Sequence, residues 1–557
     1  MAMRTCPKDE AKFLAETKQA DPFATSREKF EGIVAHLRGP SMSSATHSAI
    51  EEWLDVEGRE LLRRLVQDHL TLRAAVEPKR LAVVGSEGTA RREVVKDEGR
   101  PLNTIFGDVG VARLAYRAPR KEVGNLMPLD LELNLPPGLF SFGLQRRAAI
   151  EIAKSSFEST QESIKDRTGV VIGKKQLEDM ASEMATDFDT FYAIRSTQAQ
   201  AGLAAIFGSP RGMRSPEGLD RSKFLVLTTD GKGVAVIEED LREDTRKAAQ
   251  KRREKHEKTD PVPETKVPKL YRRRTAQVCA VYTVAPFCRK PEDIIREMRH
   301  VQPIEQRPKR PKPEDKRVWA SVEKDAEPTV GQAFDEASLR DPKRELTWLG
   351  VVDGALEQMR IIRRQQKRLG VSLILILDFI HVAGYVWKAS YAFHERGSEA
   401  AREWVDVRLL AILQGKASDV AAGIRRSATI QGLSKSQRKH VDACCDYILG
   451  HADMMRYDEY LAAGYPIGSG VIEGACRHLL QDRLDLSGAT WTVQNAEAVL
   501  KLRALRCSHD FDEYWQFHEE QELQRNHLAR FSNAKPPPLP TTRRTQTPSL
   551  RVVPVVP

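Results

Sequence analysis

Two short apolar runs, Leu346-Thr-Trp-Leu-Gly-Val-Val352 and Ser372-Leu-Ile-Leu-Ile-Leu377, flank a segment of helical length, Gly354 to Lys367. Neither run approaches the length of a membrane span. Each is short, apolar and rich in branched residues, so each predicts a buried strand. Strand, helix, strand in so compact a stretch calls for an α/β arrangement, in which both faces of the strands are covered. Upstream, Phe224 to Thr229 and Val234 to Glu238 predict two further strands. Gln277-Val-Cys-Ala-Val-Tyr-Thr-Val predicts a third, and Val318 to about Leu339 a helix. A mostly helical stretch runs from His381 to about Tyr460, and a last set of helices follows Glu473.

Acidic residues stand where these runs stop. Asp230 follows Phe224-Leu-Val-Leu-Thr-Thr, and Asp353 follows Leu346 to Val352. Glu473 opens a helix after the glycine-rich run Gly464-Tyr-Pro-Ile-Gly-Ser-Gly470. Carboxylates on strand ends and a nearby helix suit a pair of divalent cations, which clamp the attacking and leaving oxygens of a phosphodiester. Each residue also has a plainer reading. Asp230-Gly231 between apolar stretches is a favoured hairpin turn. Asp353 is placed to cap the following helix. Glu473 suits a first helical turn, with Arg477 four residues on as partner. Asp378, in Leu375-Ile-Leu-Asp-Phe-Ile-His381, rivals Asp353 as a second ligand, and shares a helix face with His381. Its plainer reading is a capping aspartate bonded to a histidine.

The chain of 557 residues is long enough for more than one domain, and its net charge of +10 draws polyanions, nucleic acid being the commonest. A basic enzyme of the cytosol is the alternative. Seven cysteines without a Cys-x-x-Cys pair indicate neither a zinc knuckle nor a disulfide framework. Residues 1–25 are polar, and 26–215 form a mainly helical region with a small β element. Within it, Ile105 to Tyr116 predicts a hairpin whose Arg113 and Arg117 could face a phosphate backbone. Residues 156–185 have the layout of a loose helix-turn-helix, or of an ordinary helical hairpin. Lys174, Lys175 and Gln176 would open its second helix, where base edges are read. Residues 241–275 are a basic insertion, 303–316 a proline-rich linker and 535–557 a proline-rich tail predicted to be disordered. Arg477 and Arg483 suit bidentate phosphate binding. Trp491, among basic residues, is either a base-stacking platform or core.

The motifs Thr-Asp-Gly-Lys-Gly, Val-Val-Asp-Gly, Leu-Asp-Phe-Ile-His-Val and Pro-Ile-Gly-Ser-Gly-Val-Ile-Glu-Gly-Ala-Cys-Arg resemble, in content and order, those of DDE transposases of bacterial insertion sequences, most nearly the ISKra type. The resemblance spans roughly residues 100 to 530. Three strands, helix, strand, helix, strand, then helices is likewise the element order of ribonuclease H-like domains. The resemblance implies an α/β ribonuclease H-like catalytic domain over 220–382, interrupted by a helical insertion at 383–463 and completed by helices at 464–530. The region before it would bind DNA. Carried over by motif, Asp230, Asp353 and Glu473 are the catalytic carboxylates and hold two Mg²⁺ or Mn²⁺ ions, with Asp378 and His381 as accessory pair or Asp378 as the alternative second carboxylate. The implied activity is cleavage of double-stranded DNA at element ends and strand transfer into target DNA. It implies a homo-oligomer on DNA, in the bacterial cytoplasm and nucleoid, with no membrane. A ribonuclease H-like nuclease that never joins strands, and a non-catalytic DNA-binding protein derived from a transposase, are the alternatives.

Overall fold

The computed structural model of the chain describes residues 21–95, 99–118, 124–200, 220–257, 273–300, 308–485 and 489–539. The remaining parts of the N-terminus, the basic insertion, the linker and the tail lie outside the described residues. The chain divides into two compact units, one of Met1–Ala148, Glu158–Lys174 and Trp515–Pro557, the other of Ala149–Phe157 and Lys175–Tyr514.

In the first unit, the helix His47–Ala75 is capped by Thr46, whose hydroxyl accepts from the Ala49 amide. The helix Ala24–Leu37 is tied to it through buried Asp68, which accepts from Thr25 Oγ1 at 2.7 Å and from the Ser26 amide at 3.1 Å. Strands Arg100–Thr104 and Gly107–Val111 form an antiparallel hairpin and join Leu70 and Leu135 in a small core. The hairpin therefore begins before the predicted one: Gly107 takes a φ of 118°, and Ile105-Phe106 make the turn despite being apolar. Arg113 is buried against Asp130 at 3.0 Å and faces no solvent-borne phosphate.

The second unit is built on a five-stranded sheet. Its strands are β1 (Phe224–Ala235), β2 (Arg273–Val284), β3 (Glu314–Ser321), β4 (Thr347–Val352) and β5 (Ile374–Leu377), in spatial order β5-β4-β1-β2-β3. β1, β4 and β5 run parallel, and β2 is antiparallel to both β1 and β3. Two expectations are corrected here. Phe224 to Ala235 is one strand with no turn at Asp230-Gly231, because β2 supplies a pairing partner for every residue, Asp230 opposite Val278 and Gly231 opposite Gln277. The residues Val318 to Ser321 belong to β3, where they pair with β2 and are all buried; the helix starts only at Ala326. Residues 314–316 of the expected linker are strand as well.

Helices cover the sheet: α1 (Ala326–Arg340) against β1 and β2, α2 (Leu356–Leu369) against α1, and α9 (Val493–Cys507) against β3. After β5 come α3 (Phe379–Ser390), α4 (Glu399–Leu413), α5 (Ala417–Ile430), α6 (Lys435–Gly450), α7 (Tyr457–Ala462) and α8 (Gly470–Cys476). The predicted domain boundary near 215–220 does not coincide with the division of the chain. The helix Phe188–Gln200 stays with the sheet because Asp189 pairs with Lys324 and Lys501, and Tyr192 donates to Asp510 at 2.8 Å. Both helices of the candidate helix-turn-helix exist, Phe157–Thr168 and Lys174–Met184, but the division falls between Lys174 and Lys175. No helix among the described residues is long and apolar enough to cross a membrane.

Candidate active site

Asp230 sits within β1, half-buried, with Oδ2 3.0 Å from Lys232 Nζ and 3.4 Å from Cys476 Sγ. Residues two apart on a strand share a face, which puts Lys232 beside Asp230. Burial opposes the Lys232 charge, but the Asp230 hydrogen bond and the negative charges around it win and hold the amine above its ordinary pKa. Burial, reinforced by the Asp230 charge, pushes the Cys476 thiol far up, so this sulfur stays protonated and donates to the carboxylate.

Asp353 follows the last residue of β4. Its Oδ1 accepts from the Ala355 amide at 2.9 Å, one residue before α2 begins, so it shapes the turn rather than capping the helix. The backbone of this turn is gripped from α6 and the residue after it. Tyr447 donates to the Asp353 carbonyl at 2.7 Å, and His451 Nε2 lies 3.0 Å from the Gly354 carbonyl. Gly354 has a φ of 83°, and a Cβ there would stand 2.9 Å from both His451 and Leu377. Only glycine fits this conformation and this approach.

Asp378, directly after β5, is fully buried and fully committed. Its Oδ1 accepts from the Ile380 amide at 3.0 Å, capping α3, and its Oδ2 accepts from Ser469 Oγ at 2.6 Å and meets His381 Nδ1 at 2.8 Å. These hydrogen bonds outweigh the burial penalty and hold its carboxyl below the usual range. The same contact, led by the hydrogen bond that His381 donates to Asp378, holds the His381 imidazole above its ordinary value. With Nδ1 engaged, His381 presents Nε2 as its outward nitrogen.

Glu473 is exposed in the first turn of α8, its amide bonded to the Ser469 carbonyl at 3.0 Å. The Ile467 carbonyl accepts from the Phe379 amide at 2.9 Å, so the glycine-rich run is anchored to the start of α3. Beyond Cys476 the helix widens into one π turn, Arg477–Gln481, and the buried Arg503 takes the freed His478 carbonyl.

Asp230, Asp353 and Glu473 thus come together, with Lys232, His381, Ser469 and Cys476, around one cavity of about 260 Å³. Ligand atoms of Asp378, His381 and Glu473 also lie within 4.8 Å of one another. Hard carboxylate oxygens outnumber the single ammonium, and the one thiol is protonated. This donor set fits Mg²⁺ or Mn²⁺ and not a thiolate-bound metal. Asp353 lines the cavity, while both oxygens of Asp378 are spent on the scaffold, where Asp378 braces His381.

Other sequence-read residues lie elsewhere. Lys174, Lys175 and Gln176 are exposed; Lys174 pairs with Glu158 and Lys175 with Asp179. Arg477 is exposed and turns to Asp482 at 3.5 Å instead of Glu473. Arg483 and Trp491 are corrected: they are only 5% and 6% exposed. The Arg483 guanidinium lies 4.7 Å from the Trp491 ring and 5.0 Å from that of Phe157, so cation and rings bury one another and offer nothing to a phosphate or a base. Lys232, Ser469, Tyr447 and His451 had no assigned part in the sequence. A turn at Asp230-Gly231 would separate Lys232 from Asp230; the strand puts residues 230 and 232 on one face.

No model of a known protein family matches the chain, and no curated protein matches it.

Proposed function

We propose that the chain is a transposase of the DDE type from an insertion sequence, which binds the element's ends and catalyses metal-dependent strand cleavage and strand transfer on double-stranded DNA. The observation that carries this reading is the convergence of Asp230, Asp353 and Glu473, from β1, the end of β4 and the start of α8, on one cavity. The sheet supports the ribonuclease H-like part of it: five strands in the order β5-β4-β1-β2-β3, with β1, β4 and β5 parallel and β2 antiparallel to both β1 and β3. The succession read in the sequence is not kept: its first two strands are one, and the helices Glu243–Glu257 and Pro291–Met298 stand between β1, β2 and β3.

Asp230, Asp353 and Glu473 would hold two Mg²⁺ or Mn²⁺ ions. When bound, such ions supply Lewis-acid stabilisation to the attacking and leaving oxygens of a phosphodiester. The chain's own groups orient the substrate. Lys232 adds a positive charge next to Asp230, where a phosphate oxygen can exchange with the carboxylate as its partner. His381, held by Asp378, offers Nε2 at the cavity wall. The net charge of +10 supplies sequence-independent attraction to DNA.

The test is strand cleavage of DNA carrying the inverted repeats that flank the reading frame, with Mg²⁺ present. Asp230→Asn, Asp353→Asn and Glu473→Gln should each abolish cleavage while DNA binding persists. Retained cleavage in any of the three removes that residue from the site, and absence of cleavage by the native chain sinks the reading. Pre-cleaved ends offered with a target plasmid separate a transposase, which joins them, from a nuclease, which does not.

A further inference from the structure

The same segments that build the carboxylate cavity also wall a second, larger cleft of about 800 Å³. Its sides include Tyr282, Phe287, Arg289, Phe379, Ile380 and Tyr465. Tyr282 and Phe379 are buried, Phe287 and Tyr465 are half-buried, and Ile380 is 51% exposed although apolar. The wall is held by backbone bonds from Phe287 to the Gly464 carbonyl at 2.9 Å and from Arg289 to the Leu461 carbonyl at 3.1 Å. Gly464 is required for that approach: its φ is 80°, and a Cβ would stand 2.6 Å from the Phe287 amide. Gly464 to Gly468, Gly470 and Val471 line the cleft, while Ser469 and Glu473 of the same segment line the carboxylate cavity. Ile380 likewise precedes His381.

Arg289 is the unusual member. Its guanidinium lies 5.2 Å from the Phe287 ring centre, and no described residue gives it a hydrogen bond or an ion pair. Its Nε is shut off from water and has no hydrogen-bond partner among the described residues. Burial and the neighbouring Arg310 charge lower the guanidinium's pKa against the opposing pull of Glu297 and Asp293, neither of which bonds to it. Such a group is costly unless something anionic completes it. The complement to this cleft is therefore a ligand with an anionic head and a flat, apolar body.

We propose that the cleft takes one unpaired nucleotide of a DNA strand lying in the carboxylate cavity, its phosphate on Arg289 and its base among Phe287, Ile380 and Tyr465. This rests on the reading of the carboxylate cavity as a phosphodiester site. A base-paired duplex offers a protein surface its sugar–phosphate edge, for which an aromatic and aliphatic wall has no use. A base out of the stack recovers on aromatic rings the contacts it loses.

The experiment uses the full chain without divalent metal and measures fluorescence anisotropy on two DNAs, a blunt duplex and the same duplex with a short unpaired thymidine extension. The extension should tighten binding about tenfold. Phe287→Ala and Arg289→Ala should each remove that gain and leave blunt-duplex affinity within about twofold, while Arg289→Lys keeps part of it. Ile380→Glu, at an exposed position that leaves the core intact, should also collapse the ratio of the two affinities. Equal affinity of the native chain for both DNAs overturns the nucleotide cleft and leaves the phosphodiester reading standing. A gain that survives all of these substitutions overturns it too. Failure to bind either DNA overturns both.

Discussion

The Tyr447 hydroxyl donates to the Asp353 carbonyl across 2.7 Å, joining a residue of the helical segment after β5 to the carboxylate-bearing turn after β4. Tyr447 is itself fixed by stacking on Tyr385, with ring centres 4.0 Å apart and planes 14° apart. The contact holds the backbone of Asp353, whose carboxylate accepts from the Ala355 amide through Oδ1 and lines the cavity. Tyr447→Phe keeps the stack and deletes the bond. It should lower stability by about 1 kcal/mol, the worth of one hydrogen bond. On the proposed function, cleavage should slow through kcat with KM nearly unchanged, because Tyr447 does not line the cavity. An unaltered kcat would show that the turn keeps its place unaided.

Gly354 makes the same turn sensitive to a single methyl group. Ala at this position must adopt a φ near 83° and meet His451 and Leu377 at 2.9 Å. The left-handed conformation alone costs about 1–3 kcal/mol in a residue with a side chain. The clash adds to it unless His451 leaves the Gly354 carbonyl. Gly354→Ala should therefore lower the melting temperature and depress cleavage more than Tyr447→Phe does. Equal melting temperatures for Gly354→Ala and the native chain would contradict the geometry.

The Asp378–His381 contact predicts a pH dependence with a definite sign. The hydrogen bond accepted by Asp378 raises the folded pKa of His381 above its unfolded value, about 6.5. A group raised on folding stabilises the native chain fully below the unfolded value and loses that contribution as pH climbs through the folded one. Asp378, whose own pKa is lowered, stays ionised throughout that window. In the metal-free chain, the melting-temperature difference between the native protein and His381→Ala should be greatest near about pH 6 and shrink as pH rises. A difference that widens with pH would mean that His381 does not pair with Asp378 as a cation.

The parts of this fold legible in the sequence are those fixed by local composition. β4 and β5 are runs of successive apolar residues, and the amphipathic α2 lies between them. β1 was not legible as one strand, since Asp230-Gly-Lys-Gly imitates a hairpin turn and only the pairing with β2 decides otherwise. β3 shows only the short apolar run Val318-Trp-Ala between Arg317 and Ser321, and its pairing with β2 rather than its composition makes it a strand. The three carboxylates could be picked out because each stands at the end of an apolar or glycine-rich run. Their supports could not. Tyr447 and His451 act on residues 94 and 97 positions away, and no local pattern announces such a contact. Arg483 and Trp491 show the converse: a cation near aromatic residues has the same sequence signature whether it faces DNA or the core.

That ambiguity separates two arginines on neighbouring turns. Arg483 is enclosed by Phe157 and Trp491 and donates to the Ile152 carbonyl at 3.3 Å. Removing it forfeits the ring contacts and a charged hydrogen bond, so Arg483→Ala should cost about 3 kcal/mol of stability. Arg477 is exposed and holds only Asp482, at 3.5 Å. An exposed pair of this kind contributes about 1 kcal/mol or less, so Arg477→Ala should melt almost as the native chain does. If Arg477 meets a phosphate, the same substitution weakens DNA binding across all sequences and reduces the salt dependence of the affinity by about one unit of slope. Thermal melts and salt titrations of the two variants should therefore give opposite patterns: loss of stability for Arg483→Ala, loss of salt-dependent affinity for Arg477→Ala. An Arg477→Ala protein with native affinity and native slope would take that side chain out of the DNA interface.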